Sequence, residues 1–238
     1  MVGARGSTPA KPPARMVVHR DGTLFGTVGG GCVEADVIRC AFDAMDTGRL
    51  QRASFRLSGE EAERSGIACG GSLDIMIESL EDPRVVLVGA GHVAQAVCPL
   101  AAKAGFNVWV ADDRPDFACR ERFPEAQRLV VGALDALEAQ LALTPRTALL
   151  VMTRGHSEDF SVLQWALGSP CQYIGVLGSR KKRADFESAL ITDPARATRF
   201  NSVQMPVGVD IGAESVDEIA ISIVAGLIQM RRTAARHA

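Results

Sequence analysis

The chain has no apolar run approaching the roughly 20 residues of a membrane-spanning helix, and its opening residues carry no secretory h-region. Net charge is nearly absent too. Against 28 Asp and Glu stand 26 Lys and Arg, a balance of −2. Nothing in that balance points to a bulk nucleic-acid or membrane-surface binder. The six cysteines (Cys32, Cys40, Cys69, Cys98, Cys119, Cys171) include no Cys-x-x-Cys pair and no zinc-ligand spacing. In a chain of this size they read as reduced, cytosolic thiols and not as a disulfide framework. What is present is apolar content, 47% over 238 residues, enough for one large core or two small ones.

A boundary falls near Ser79 to Pro83, where Leu80-Glu81-Asp82-Pro83 is short, acidic and closed by proline. It divides the chain into residues 1–80 and 84–238. In the first part, Met16-Val17-Val18 and Leu24-Phe25 flank Asp21-Gly22, a hairpin signal. Val33, Val37, Ala41 and Met45 recur at helical spacing, and Leu73, Ile75 and Ile77 alternate as in a strand. This part is predicted to be a small α+β domain. From Arg84 onward strands and helices alternate, with strands expected at 85–88, 107–111, 128–131, 147–152 and 172–177. Helices are expected at 92–104, 134–142, 158–167, 180–191 and 216–231. Such alternation predicts a doubly wound, Rossmann-like parallel sheet. The last helix carries a capping box, Ser215 and Glu218, and a predicted buried stripe of Val216, Ile219, Ile223 and Leu227.

The most informative motif is Val88-Gly89-Ala90-Gly91-His92-Val93-Ala94. It follows an apolar strand, opens a helix, and is followed about 20 residues later by Asp112. Gly89 and Gly91 let backbone N–H groups approach a pyrophosphate at the helix N-terminus, His92 lies beside that position, and Asp112 could take a ribose diol. A doubly wound fold that binds no nucleotide is the other reading. A second glycine run, Gly29-Gly30-Gly31-Cys32, also feeds a helix. Either it forms an anion nest with a reactive thiol at a helix N-terminus, or it is a tight turn with a small buried cysteine. Cys69-Gly70-Gly71 repeats the theme before a strand. Two soft ligands, Cys32 and Cys69, suit a soft metal or a sulfur-handling step. Ser179-Arg180-Lys181-Lys182-Arg183 puts four cations in the first turn of a helix, against its dipole. A bound phosphate, an acidic partner or plain solvation would each account for them. His156, after another strand, is placed to reach the same crevice as Gly178.

Taken in order, Arg5 to Pro9, Gly29 to Glu34, Cys69 to Gly71, Gly89 to Ala94, Asp112 to Pro115, Gly175 to Arg183 and Gly208 to Ala213 resemble the XdhC/CoxI family, accessory factors of xanthine dehydrogenase and related molybdenum hydroxylases. The resemblance implies a cytoplasmic, usually dimeric protein with a small N-terminal domain and a Rossmann-like C-terminal one. It implies binding of the molybdenum cofactor and delivery of its sulfurated form to an apo molybdenum hydroxylase, with a cysteine desulfurase supplying the sulfur. Members of the family begin earlier, with a helix and strand before the Arg5 motif. The expected cofactor-binding residues are Gly29, Gly30, Gly31, Cys32, Cys69, Gly70, Gly89, Gly91, His92, Asp112, Ser179 and Arg180, with Cys32 and Cys69 as candidate molybdenum ligands. The competing expectation is an NAD(P)-dependent oxidoreductase built on the Rossmann domain, although no acid–base pair poised for hydride chemistry is evident.

Overall fold

The computed structural model describes residues 1–57, 71–80, 83–171 and 173–236, the side chains of Cys32 and residues 234–236 excepted. The chain divides into two compact units, Met1–Glu81 and Asp82–Ala238.

In the first unit, strands β1 (Gly3–Arg5), β4 (Gln51–Arg56) and β5 (Ser72–Ile77) form an antiparallel sheet in the order β1-β5-β4. Strands β2 (Met16–Val18) and β3 (Leu24–Gly26) form a separate hairpin. Helix α1 (Gly31–Thr47) ends at Gly48, whose left-handed conformation returns its N–H to Ala44 O. The helical spacing is met in full, for Val33, Val37, Ala41 and Met45 are all buried. Val33, Val37 and Ala41 pack with Leu57, Leu73, Ile75 and Ile77 into one core. The hairpin and β5 were predicted, whereas β1 and β4 were not.

The second unit is a five-stranded, fully parallel sheet in the order β10-β9-β6-β7-β8. The strands are β6 (Arg84–Val88), β7 (Asn107–Asp112), β8 (Arg128–Val131), β9 (Thr147–Val151) and β10 (Tyr173–Val176). The helices are α2 (His92–Lys103), α3 (Leu134–Gln140), α4 (His156–Gly168), α5 (Arg180–Leu190), α6 (Pro194–Phe200) and α7 (Val216–Arg236). Strand residues alternate between two cores, as the pleat requires. Val85, Leu87, Val108, Val110, Ala148 and Leu150 meet α2 and α7 on one face. Val86, Val88, Ala111, Leu149 and Val151 meet α4, α5 and α6 on the other. This is the doubly wound Rossmann-like architecture expected.

Two details correct the sequence reading. Val216 does not belong to the buried stripe of α7, being 41% exposed; Ile223 and Leu227 are buried as predicted, Ile219 packs against them half-buried, and Ala220 and Val224 complete the stripe. Helix α6 was not predicted at all. The capping box of α7 is present, with Glu218 N–H donating to Ser215 Oγ (3.3 Å) and Ser215 N–H to Glu218 Oε2 (2.9 Å).

Candidate functional site

Each unit brings some of its motif residues together. In the first, Gly29, Gly30 and Gly31 all have positive φ (138°, 74° and 65°), a run that side chains other than hydrogen rarely tolerate. Gly30 is the N-cap of α1 and has no side chain to cap the first-turn amides. Glu34 reaches back from the first turn: its Oε2 accepts the Gly30 N–H (3.0 Å) and the Thr27 hydroxyl (2.7 Å). The glycine turn thus already holds an anion of the protein's own, a role that the sequence reading did not assign to Glu34.

A Cβ on Gly29 would come within 2.9 Å of Pro9 Cγ. One on Gly71 would strike the carbonyls of Arg5 and Ser7 and approach Thr8 Cγ2 to 2.8 Å. Three segments far apart in sequence, Arg5 to Pro9, the Gly29 turn and the start of β5, therefore meet. By contrast, a Cβ on Gly30 would meet no atom of the described residues within 4 Å. Cys32 is the second residue of α1. Cys69 and Gly70 lie outside the described residues.

In the second unit, β6 is central, and the chain moves outward through β7 and β8 before crossing back to β9. The topological switch lies between β6 and β9, where α/β sheets bind ligands. Gly89 sits at that switch with φ 109°, and a Cβ there would collide with the Met152 carbonyl. Gly91 is different. Its φ of −73° suits any residue, and a Cβ would meet nothing within 4 Å. Packing explains the first glycine of the fingerprint but not the second. His92 begins α2 and is exposed.

Asp112, at the end of β7, is buried, and its carboxylate accepts four N–H groups. Oδ2 takes Ala90 N–H (2.7 Å) and Arg114 Nη2 (2.9 Å); Oδ1 takes Arg114 N–H (3.0 Å) and Nε (2.8 Å). Burial raises its pKa. The hydrogen bonds, that of the Arg114 side chain first, outweigh burial and hold it at about 2. The Arg114 guanidinium lies 3.6 Å over the Phe117 ring, and Arg122 lies 4.8 Å from the same ring. Arg122 Nη2 donates to Ala90 O (3.2 Å), while its Nε is buried with no hydrogen-bond partner among the described residues. Two guanidinium groups thus border the glycine turn.

A cavity of about 360 Å³ opens beside this turn. Its apolar walls include Val88, Ala111, Leu134, Leu137 and Val162, and its polar rim includes Asp113, Arg154, Ser157 and Glu158. Arg154 spans the rim, donating to Asp113 Oδ2 (2.8 Å) and Glu158 Oε1 (3.3 Å).

The four-cation run has an internal explanation for two of its members. Lys182 is ion-paired with the buried Asp159 and donates to Leu177 O (3.2 Å). Arg183 donates to Val203 O (2.8 Å) and lies 4.8 Å over Phe200. Ser179 caps α5 by accepting Lys182 N–H (3.2 Å). Arg180 is exposed, 3.8 Å from Asp210. His156 is exposed and stands edge-on to Phe186, with ring centroids 4.8 Å apart. None of Ser179, Arg180 and His156 lines the cavity. Among the described residues no group of three or more His, Cys, Asp or Glu could hold a metal ion, and no helix is long and apolar enough to cross a membrane.

Comparison with known proteins matches both units. Residues 85–227 match the XdhC Rossmann domain, and residues 1–56 match the XdhC and CoxI family. The chain is 34% identical over 237 residues to the uncharacterized protein YqeB of Escherichia coli K12, covering 98% of this chain and 43% of that one. It is 33% identical over 163 residues to a probable xanthine dehydrogenase subunit of Bacillus subtilis, covering 68% and 47%. It is 26% identical over 263 residues to the molybdenum cofactor insertion chaperone PaoD of Escherichia coli K12, covering 97% and 82%. The chain thus spans less than half the length of the first two relatives. With the Rossmann model matched across most of the second unit and the family model across most of the first, the chain belongs to the XdhC/CoxI family.

Proposed function

We propose that this chain is a maturation factor that binds the molybdenum cofactor and delivers its sulfurated form to an apo molybdenum hydroxylase. The observation that carries this reading is the meeting of the Arg5 to Pro9 loop, the Gly29 turn and the start of β5. That meeting brings the glycine turn before Cys32, and Gly71 two residues after Cys69, onto one loop. No described residue beyond its chain neighbours stands within 4 Å of a Cβ on Gly30, which leaves a bulky group room among the described residues to approach the first turn of α1. The donor chemistry fits: thiolates suit a molybdenum–sulfur centre, and a helix N-terminus favours an anionic tail. Cys32 and Cys69 are the residues proposed to hold the metal–sulfur head. Once bound, the cofactor supplies a molybdenum centre with a transferable sulfido ligand. The similarity to PaoD, an insertion chaperone, and to a probable xanthine dehydrogenase subunit supports the same reading. A cysteine desulfurase and a second copy of the chain are the further partners proposed.

The test is the molybdenum and pterin content of protein purified without oxygen from a cofactor-producing host. Near-stoichiometric content in the wild type, lost in Cys32→Ser or Cys69→Ser without loss of fold, is the expected result. Wild-type protein free of molybdenum and pterin, or variants that retain both and still activate a hydroxylase, would overturn it. Hydride transfer to or from a nicotinamide would favour the oxidoreductase instead.

A further inference from the structure

The second unit contains a site that this reading does not use. Four observations converge there. The cavity beside the Gly89 turn has a volume of about 360 Å³, apolar walls and a polar rim, the character and lower size range of a small-ligand pocket. Its walls come from the ends of β6 and β7 and from α3 and α4, and it reaches Gly89. The next glycine, Gly91, has no packing reason to be glycine, and its missing side chain leaves clear space at the start of α2. Arg114 and Arg122 border the same turn, the latter with a buried Nε that has no hydrogen-bond partner among the described residues.

The fourth observation concerns the acids. A carboxylate offers about four lone-pair sites, and all four on Asp112 are filled by Ala90 and Arg114. A ribose diol could bind Asp112 only by displacing one of these. Asp113, the next residue, is exposed at the cavity rim with a hydrogen bond to Oδ2 from Arg154. Its Oδ1 accepts no hydrogen bond among the described residues and lies 3.7 Å from Arg114 Nε.

We propose that the second unit binds a nucleoside 5′-diphosphate moiety, with Asp113 receiving the ribose 2′,3′-diol. The base occupies the apolar slot between α3 and α4. The diphosphate lies over Gly91 at the first turn of α2, where free amides and the helix dipole favour anions. Asp112 positions the glycine turn and does not touch the ligand. Because the acceptor is a carboxylate, a 2′-phosphate is repelled. The two nearest guanidinium groups do not offset this, since Arg114 is forked onto Asp112 and lies 3.7 Å from Asp113 Oδ1, and Arg154 is shared between Asp113 and Glu158. The proposal stands apart from cofactor binding in the first unit, and either can fail alone.

The experiment is calorimetric titration of the full chain with ADP, GDP, CDP and UDP, with the 2′-deoxy form of the best binder, and with adenosine 2′,5′-bisphosphate. Saturable binding of at least one diphosphate is expected. Losing the 2′-hydroxyl, or replacing Asp113 by Asn, should weaken it by about tenfold, the scale of one charge-assisted hydrogen bond. Adenosine 2′,5′-bisphosphate should bind at least that much more weakly than ADP. Gly91→Val should fold normally and abolish binding. No saturable binding of any diphosphate below millimolar concentration would overturn the proposal. So would undiminished binding by a folded Asp113→Asn or Gly91→Val protein, or tighter binding of the 2′-phosphate. The molybdenum and pterin assay is unaffected by any of these outcomes.

Discussion

Asp112 and Arg114 are joined by two parallel bonds, Nε to Oδ1 at 2.8 Å and Nη2 to Oδ2 at 2.9 Å. This fork, with the Ala90 amide, holds the carboxyl at about 2, below its ordinary 3.8. Because the folded value lies below the unfolded one, the stabilisation is complete above about pH 4 and is lost as pH falls toward 2. The shift corresponds to on the order of 2 kcal/mol. Denaturant unfolding of the wild type and Asp112→Asn between pH 2 and 6 should show their stability difference shrinking across that window. A difference that does not change with pH would show that the fork contributes nothing.

Lys182 and Asp159 form a second internal pair, 17% and 3% exposed. Asp159 also accepts the Thr153 N–H (2.8 Å) and hydroxyl (2.7 Å), so the pair pins the loop after β9. Lys182→Met leaves a buried carboxylate without its cation and should cost about 3–5 kcal/mol. The double variant with Asp159→Asn should recover part of that loss. Equal destabilisation by the single and double variants would mean the charge pairing is not what matters.

The fingerprint glycines should separate cleanly. Gly89→Ala forces a side chain into positive φ and against a carbonyl, and should cost more than about 2 kcal/mol. Gly91→Ala meets no atom and should leave stability within about 0.5 kcal/mol. Thermal unfolding distinguishes them.

In the first unit, Gly71→Ala places a methyl against the Arg5 and Ser7 carbonyls. Overpacking of this kind costs about 1–3 kcal/mol. If denaturant unfolding leaves this variant as stable as the wild type, the three segments do not meet as described.

Thiol labelling should follow burial. Cys98 is wholly buried, and burial pushes its thiol up to about 12; burial likewise raises that of Cys171. Both should resist iodoacetamide at pH 8 until the protein unfolds, while the half-buried Cys40 and Cys119 react earlier. Mass spectrometry of partly labelled native protein reads this directly.

The sheet of the second unit was legible because a strand buried on both faces is a continuous apolar run, as in Val85 to Val88 and Ala148 to Val151. Elements defined by partners and not by their own pattern were not. Strand β1 is three residues long and exists through its pairing with β5. Strand β4 alternates half-buried with exposed residues and carries only Ala53 and Phe55 as apolar members. Helix α6 buries one side chain, Phe200, so no periodic stripe marks it. Its signal was at the start, where Asp193 accepts the Arg196 N–H (3.1 Å) and Pro194 opens the helix. Of the candidate site, the glycine motifs could be read, since conformation is written in residue type. The commitments of Asp112, Lys182 and Glu34 could not, because hydrogen-bond partners depend on which loops the fold brings together.

The carboxylate of Glu34 on the Gly30 turn has a bearing on any affinity measured there. An anion arriving at those amides does not fill an empty seat; it competes with a tethered rival that never leaves the neighbourhood. The free energy of occupancy is then the difference between two anions and not the whole attraction of one. Such an anion would be held less tightly, and its return after release would be hindered, because the vacated amides are taken at once from within. A storage site would be poorly served by such an arrangement, whereas a site that must hand its load onward gains from it.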